Sequence, residues 1–147
     1  MPRDSSVRLE VRSSLDMVDL VQAAGDYLGR LAGLDEDALH WIGVAVRESV
    51  INAIAHGNQH DARKRVHVEF TLLNDDAGPG IAIRVRDEGP GFDPQSLPDC
   101  RAPENLLKSG GRGIFLIRSF MDEMVLQRAQ EGGMEMVMVK RCQPQQA

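Results

Sequence analysis

Cysteine is scarce in this chain: among 147 residues only Cys100 and Cys142 occur, far apart and without a CxxC pair. That excludes a disulfide scaffold and points to reduced thiols in a cytoplasmic protein. The four histidines, His40, His56, His60 and His67, form no HExxH and no spacing with cysteine that suits a zinc centre. An excess of basic charge is also missing. The formal net charge of -5 argues against direct binding to nucleic acid, whose partners carry a basic face. No apolar run approaches membrane-spanning length, and the opening MPRDSSVRLE is too charged for a signal peptide. Internal repeats and linker-like stretches are absent, so a single domain over 1–147 is expected. What is present is an ordinary globular balance, 42% hydrophobic and 27% charged, in a chain long enough to bury a core.

The hydrophobic pattern gives the elements in order. Val7, Leu9 and Val11 alternate with charged residues and predict a strand. In SSLDMVDLVQAAGDYLGRLAGL, Ser13 or Ser14 is placed to cap a helix, and Leu15, Val18, Val21, Leu28 and Leu31 have helical spacing up to Gly33. A second helix follows from LDEDAL, with acidic residues in its first turn where the macrodipole favours them, and stops near Gly57. RVHVEFTLLN and IAIRVRD, joined by DDAGPG, predict a hairpin. From Gly89 to Gly113 the chain is rich in Gly, Pro and polar residues, as functional or mobile loops are. IFLIRSFMDEM predicts a helix, and EMVLQRAQEGGMEMVMVKR a closing hairpin turning at Glu131–Gly133. Helices grouped between paired strands predict an α+β fold, a two-layer sandwich with helices covering one sheet face.

Three polar islands interrupt this frame. In RESVINAIAHGN, Glu48 and Asn52 are spaced i and i+4, so a helix stacks them on one face. A carboxamide oxygen suits Mg²⁺, and a carboxylate one turn earlier suits a general base. The plainer alternative is a polar helix face closed by a glycine C-cap at Gly57. In RDEGPGFDP, Asp87 ends a strand, where its carboxylate can accept from a ligand's exocyclic amine. Gly89 and Gly91 allow close backbone approach or positive φ. The alternative there is a tight turn. In SGGRGIFLIRSF, a glycine cluster opening a helix offers free N–H groups and the positive dipole end to an anion, and Arg112 adds a charged donor. No Lys-Ser or Lys-Thr follows those glycines and GxGxxG is absent, which excludes a P-loop and a dinucleotide fingerprint. A flexible connection before a helix is the plainer alternative. Taken together, a metal-binding carboxamide, a base reader and a phosphate cradle describe a site for Mg-ATP.

The ordered set ExxxNAxxHG, DxGxGFD and GGRGI, followed by MDEM, resembles the N, G1 and G2 boxes of the GHKL ATPase superfamily over nearly the whole chain. Within it, the compact length is similar to the anti-sigma factor serine kinases of bacterial partner-switching systems. The resemblance implies a Bergerat fold, with a mixed, mostly antiparallel sheet covered by three helices on one face. It implies Asn52 as Mg²⁺ ligand and Glu48 as the base that activates a serine hydroxyl. It also implies Asp87 as adenine reader, with Gly89, Gly91 and Phe92 shaping the pocket beside Ala55 and His56. Gly110, Gly111, Arg112, Gly113 and Ile114 wrap the phosphates, and the loop from about Asp93 to Ser109 is the lid. Members of the group often carry a Thr in the last hairpin that assists adenine binding, where this chain has Met134 and Glu135 in GGMEMV.

The function so implied is an anti-sigma factor with ATP-dependent serine kinase activity. Its partners are a STAS-type anti-sigma factor antagonist, phosphorylated on serine, and a sigma factor that it sequesters, with a homodimer as assembly. An ATP-binding module that sequesters a partner without catalysis is the alternative. A histidine-kinase catalytic domain is a third reading, disfavoured because none of the four histidines sits in a phospho-acceptor helix.

Overall fold

The computed structural model describes residues 5–91 and 111–142. The strands are β1 (Ser5–Arg12), β2 (Arg65–Asp75), β3 (Gly78–Arg86), β4 (Glu123–Arg128) and β5 (Met134–Arg141). The helices are α1 (Val18–Leu31), α2 (Glu36–Asn52) and α3 (Gly111–Phe120). The sheet runs in the order β1-β2-β3-β5-β4.

Every neighbouring pair in that sheet is antiparallel, which corrects the mixed sheet expected above. The reason lies in where β5 inserts. The β3–α3–β4 crossover leaves β3 and β4 running in the same direction, as crossovers do. The closing hairpin then folds β5 back between them, so the two parallel strands never touch.

Alternation along the strands sets the layers. Val66, Val68 and Phe70 of β2, Ile81, Ile83 and Val85 of β3, and Met136 and Met138 of β5 are buried under the helices. The opposite face carries ion pairs, including Arg8 with Glu69 and Arg84 with Glu131 and Glu135. Helix α1 comes close to its neighbours because glycines face them. A Cβ on Gly25 would meet Phe70 at 3.3 Å, and one on Gly29 would meet Leu39 Cδ2 at 2.7 Å. Asp35 caps α2 by accepting from the Ala38 N–H at 2.8 Å. Trp41 of α2 and Phe120 of α3 stack with ring centroids 3.5 Å apart at 5°, fixing the two helices together.

Three local expectations are corrected. Ser14 precedes a short 3₁₀ turn, Leu15–Met17, and makes no capping bond. Ser13 is buried and accepts from Asn58 instead. The helical stripe of α1 buries Val18, Val21 and Leu28, but Leu15 and Leu31 are 55% and 59% exposed: Leu15 lies in the 3₁₀ turn before the helix, and Leu31 points away from the face that holds Leu28 and Ala32. Helix α3 stops at Phe120 rather than continuing through MDEM, since the Asp122 N–H leaves for the Val139 carbonyl and β4 begins at Glu123. Among the described residues, no helix is long and apolar enough to cross a membrane.

Candidate functional site

The three islands converge at one end of α2. Glu48 and Asn52 occupy its last turns, both half-buried, and the chain continues in one π-helical turn, Ala53–Gly57. Such turns recur at functional sites because they re-aim side chains within a continuous helix. Ala55 is half-buried in that turn and His56 is exposed. Gly57 does not act as a left-handed C-cap: the positive φ values fall on Gln59 and His60 instead. Its missing side chain serves another purpose. A Cβ on Gly57 would overlap the Asp87 carboxylate, so the loop after β3 sits directly on this glycine.

Asp87 is only 5% exposed. Its Oδ1 accepts from the backbone N–H groups of Gly89 at 2.9 Å and Met134 at 3.1 Å. Its own N–H donates to the Met134 carbonyl at 3.0 Å. A buried carboxylate needs such donors to remain in place. Oδ2 is turned towards Gly57. The chain here makes a bend at Gly89 rather than a hydrogen-bonded tight turn.

The glycines divide the work. Gly89 permits close approach, since a Cβ there would overlap the Gly57 carbonyl. Gly91 takes a positive φ of 77°, which a side chain would strain. Gly133, in the β4–β5 turn, lies against the Asp87 carbonyl with no room for a Cβ. In the third island Gly111 and Arg112 form the first turn of α3. Gly113 faces Glu48: a Cβ there would stand 2.6 Å from Oε2. Ile114 packs on the core. Phe92, Gly110 and the stretch 93–109 lie outside the described residues.

Glu48 is thus brought against Gly113 of α3, and the turn that follows Asn52 carries Gly57 against Asp87 and Gly89 of the loop after β3. The Nδ2 of Asn52 is buried and, among the described residues, has no hydrogen-bond partner. Buried polar groups without partners are rare in a folded chain, and this N–H₂ donor is open to an acceptor on a ligand. The residues fit a nucleotide, with a fixed carboxylate acceptor and glycine surfaces where a Cβ would fill the cradle, and the Asn52 carboxamide oxygen is a donor of the kind Mg²⁺ takes.

Sequence reasoning missed three participants. Gly57 and Gly133 looked like punctuation, yet their bare Cα atoms face Asp87. Asn58 looked like the polar residue after a helix; it is fully buried. Beside it, His67 and the Arg65 backbone N–H hydrogen-bond Glu88 and hold its carboxyl below the ordinary glutamate range. The signal for Gly57 and Asn58 was their place at the end of the first island, RESVINAIAHGN.

Gly57→Ala tests the arrangement. The overlap with Asp87 is expected to destabilise the fold by about 3 kcal/mol, at the upper end for overpacking. Chemical denaturation checks this, and an unchanged midpoint would mean that Asp87 does not rest on Gly57.

The family model of the histidine kinase-like ATPase domain matches residues 11–140. Serine-protein kinases RsbW from Staphylococcus aureus strains JH9 and Newman are each 28% identical to this chain over 151 residues, covering 98% of it and 91% of their own length. These matches bear out the resemblance drawn from the three boxes.

Proposed function

The chain belongs to the histidine kinase-like ATPase domain family, and from that premise we propose that it is an anti-sigma factor with protein serine kinase activity. Its substrate is a serine on a STAS-type anti-sigma factor antagonist, and its second partner is a sigma factor that it sequesters. The similarity to serine-protein kinases RsbW supports the reaction type. The observation that carries the reading is Asp87: a buried carboxylate fastened through Oδ1 by two backbone N–H groups and resting on Gly57.

In this proposal Asp87 Oδ2 accepts from the exocyclic amine of adenine, and Gly89 and Gly91 let the backbone close on the base. Asn52 holds Mg²⁺ through its carboxamide oxygen. The metal, when bound, neutralises charge on the phosphate oxygens. The N–H groups of the first α3 turn, Gly111 to Gly113, face the phosphates with the positive end of the helix dipole, and Arg112 adds charge. Ala55, His56 and Ile114 complete the nucleotide surroundings. Glu48 accepts the proton of the attacking serine hydroxyl. Its carboxylate lies against Gly113, so base and phosphate cradle are in direct register. The protein works in the cytoplasm as a homodimer.

Met134, where the group often has Thr, takes part through its backbone. Its N–H and carbonyl both bond Asp87, whatever the side chain. Incubation with Mg-ATP and a STAS-type antagonist is expected to yield phosphoserine on the antagonist. ATP binding with no phosphate transferred to any antagonist would leave a binding module and overturn the kinase reading.

A further inference from the structure

Asn58 has no solvent exposure, and each polar atom of its side chain is in use. Nδ2 donates to Ser13 Oγ at 2.6 Å and to the Arg65 carbonyl at 2.9 Å. Oδ1 accepts from the Glu88 N–H at 2.7 Å. Those partners sit just after β1, at the start of β2 and in the loop after β3. One carboxamide therefore ties three segments at the margin of the site, using both donors and an acceptor.

The chain follows an unfavourable path around it. After the π-helical turn, Gln59 and His60 take left-handed φ values of 52° and 57° in succession. Side chains other than glycine disfavour that region, and it persists only where surrounding contacts over-determine it. The contacts doing so here include those of Asn58, whose own N–H returns to the Ala53 carbonyl at 2.8 Å.

The bond to Glu88 bears on Asp87 directly. It holds the peptide group that follows Asp87, while the Met134 carbonyl holds the N–H of Asp87 itself. Asp87 is clamped on both sides. Gly57, the surface on which its carboxylate rests, immediately precedes Asn58 in the chain. Any shift of Asn58 moves the floor under Oδ2 and the peptide behind it together.

We propose that Asn58 is a positioning residue for base recognition: it fixes the aim of the Asp87 carboxylate and so sets preference for adenine over guanine. The inference rests on Asp87 as the base reader. An amine donor at the purine edge needs an acceptor held in one place, because a carbonyl at that edge would then be repelled.

The test compares wild type, Asn58→Ala and Ser13→Ala by calorimetric titration with ATP and with GTP, each variant first checked for a cooperative thermal transition. Asn58→Ala is expected to lower the ratio of ATP to GTP affinity about tenfold, the worth of one well-made hydrogen bond. Ser13→Ala, which removes one partner of Asn58, moves the ratio in the same direction by less. In the ligand-free protein, hydrogen exchange of the Gly89 and Met134 amides bound to Oδ1 should speed up in both variants. A folded Asn58→Ala protein with the wild-type ratio and protection overturns the proposal. If Asn58→Ala does not fold, an unchanged ratio in Ser13→Ala overturns it instead. Wild type that binds both nucleotides equally removes the base-reading role of Asp87, and this inference falls with it. That failure shows before any variant is made.

Discussion

Asp87→Asn is expected to lower ATP affinity about a hundredfold while leaving the chain folded, and to erase its preference over GTP. The two backbone donors decide the outcome. Gly89 and Met134 both point N–H groups at Oδ1, so an asparagine must place its carbonyl oxygen there. Its N–H₂ then takes the place of Oδ2 beside Gly57. An acceptor becomes a donor at the one atom proposed to meet the adenine amine, and a purine bearing a carbonyl at that edge is no longer rejected. Loss of a charged hydrogen bond plus a donor–donor conflict is worth about 3 kcal/mol, hence the hundredfold. Calorimetric titration with both nucleotides reads the effect directly. Retained ATP affinity in Asp87→Asn would move base recognition elsewhere.

Glu48→Gln is expected to separate binding from transfer. The substitution keeps the shape that lies against Gly113, so ATP affinity should change by less than about threefold, a difference under 1 kcal/mol. The proton acceptor is lost. Phosphorylation of a STAS-type antagonist should fall roughly 10³-fold, within the usual range for a general base. Single-turnover assays with saturating ATP check this, because they isolate the transfer step from nucleotide exchange. Unchanged transfer would remove Glu48 from the role of base. A parallel loss of ATP affinity would assign Glu48 to binding rather than to proton transfer.

These predictions draw on features that differed in how far they could be read from sequence. Asp87 and Gly91 are near neighbours whose chemistry is local: a strand end and a positive φ follow from residue type. Glu48 and Asn52 were legible for the same reason, since helical spacing alone stacks them. The contact between Gly57 and Asp87 joins positions far apart in sequence and depends on an absent side chain. Nothing in a local pattern marks a glycine whose bare Cα is a seat for a carboxylate.

Strand order shows the same limit. Alternation located β4 and β5 as a hairpin, but not that β5 slots beside β3 and makes the sheet antiparallel throughout. The ends of the α1 stripe were misjudged because Leu15 falls in a 3₁₀ turn and Leu31 lies off the face that Leu28 and Ala32 share. Ser13 or Ser14 was read as a cap because small hydroxyl residues before a helix usually are. Here a buried amide, Asn58, competes for the Ser13 oxygen and wins. Roles set by one segment were visible; roles set by two segments meeting were not.

The central claim is that Asn52 and Asp87 hold opposite ends of one Mg-ATP. The measurement that bears on it most directly is calorimetric ATP binding with and without Mg²⁺, for wild type and Asn52→Ala. Asn52 ends α2 with a buried Nδ2 that has no partner among the described residues, so its removal is expected to leave the fold intact. Wild type should bind ATP more tightly with Mg²⁺ than without it, and Asn52→Ala should lose most of that difference. Equal affinity in the two proteins, independent of the metal, would contradict the site.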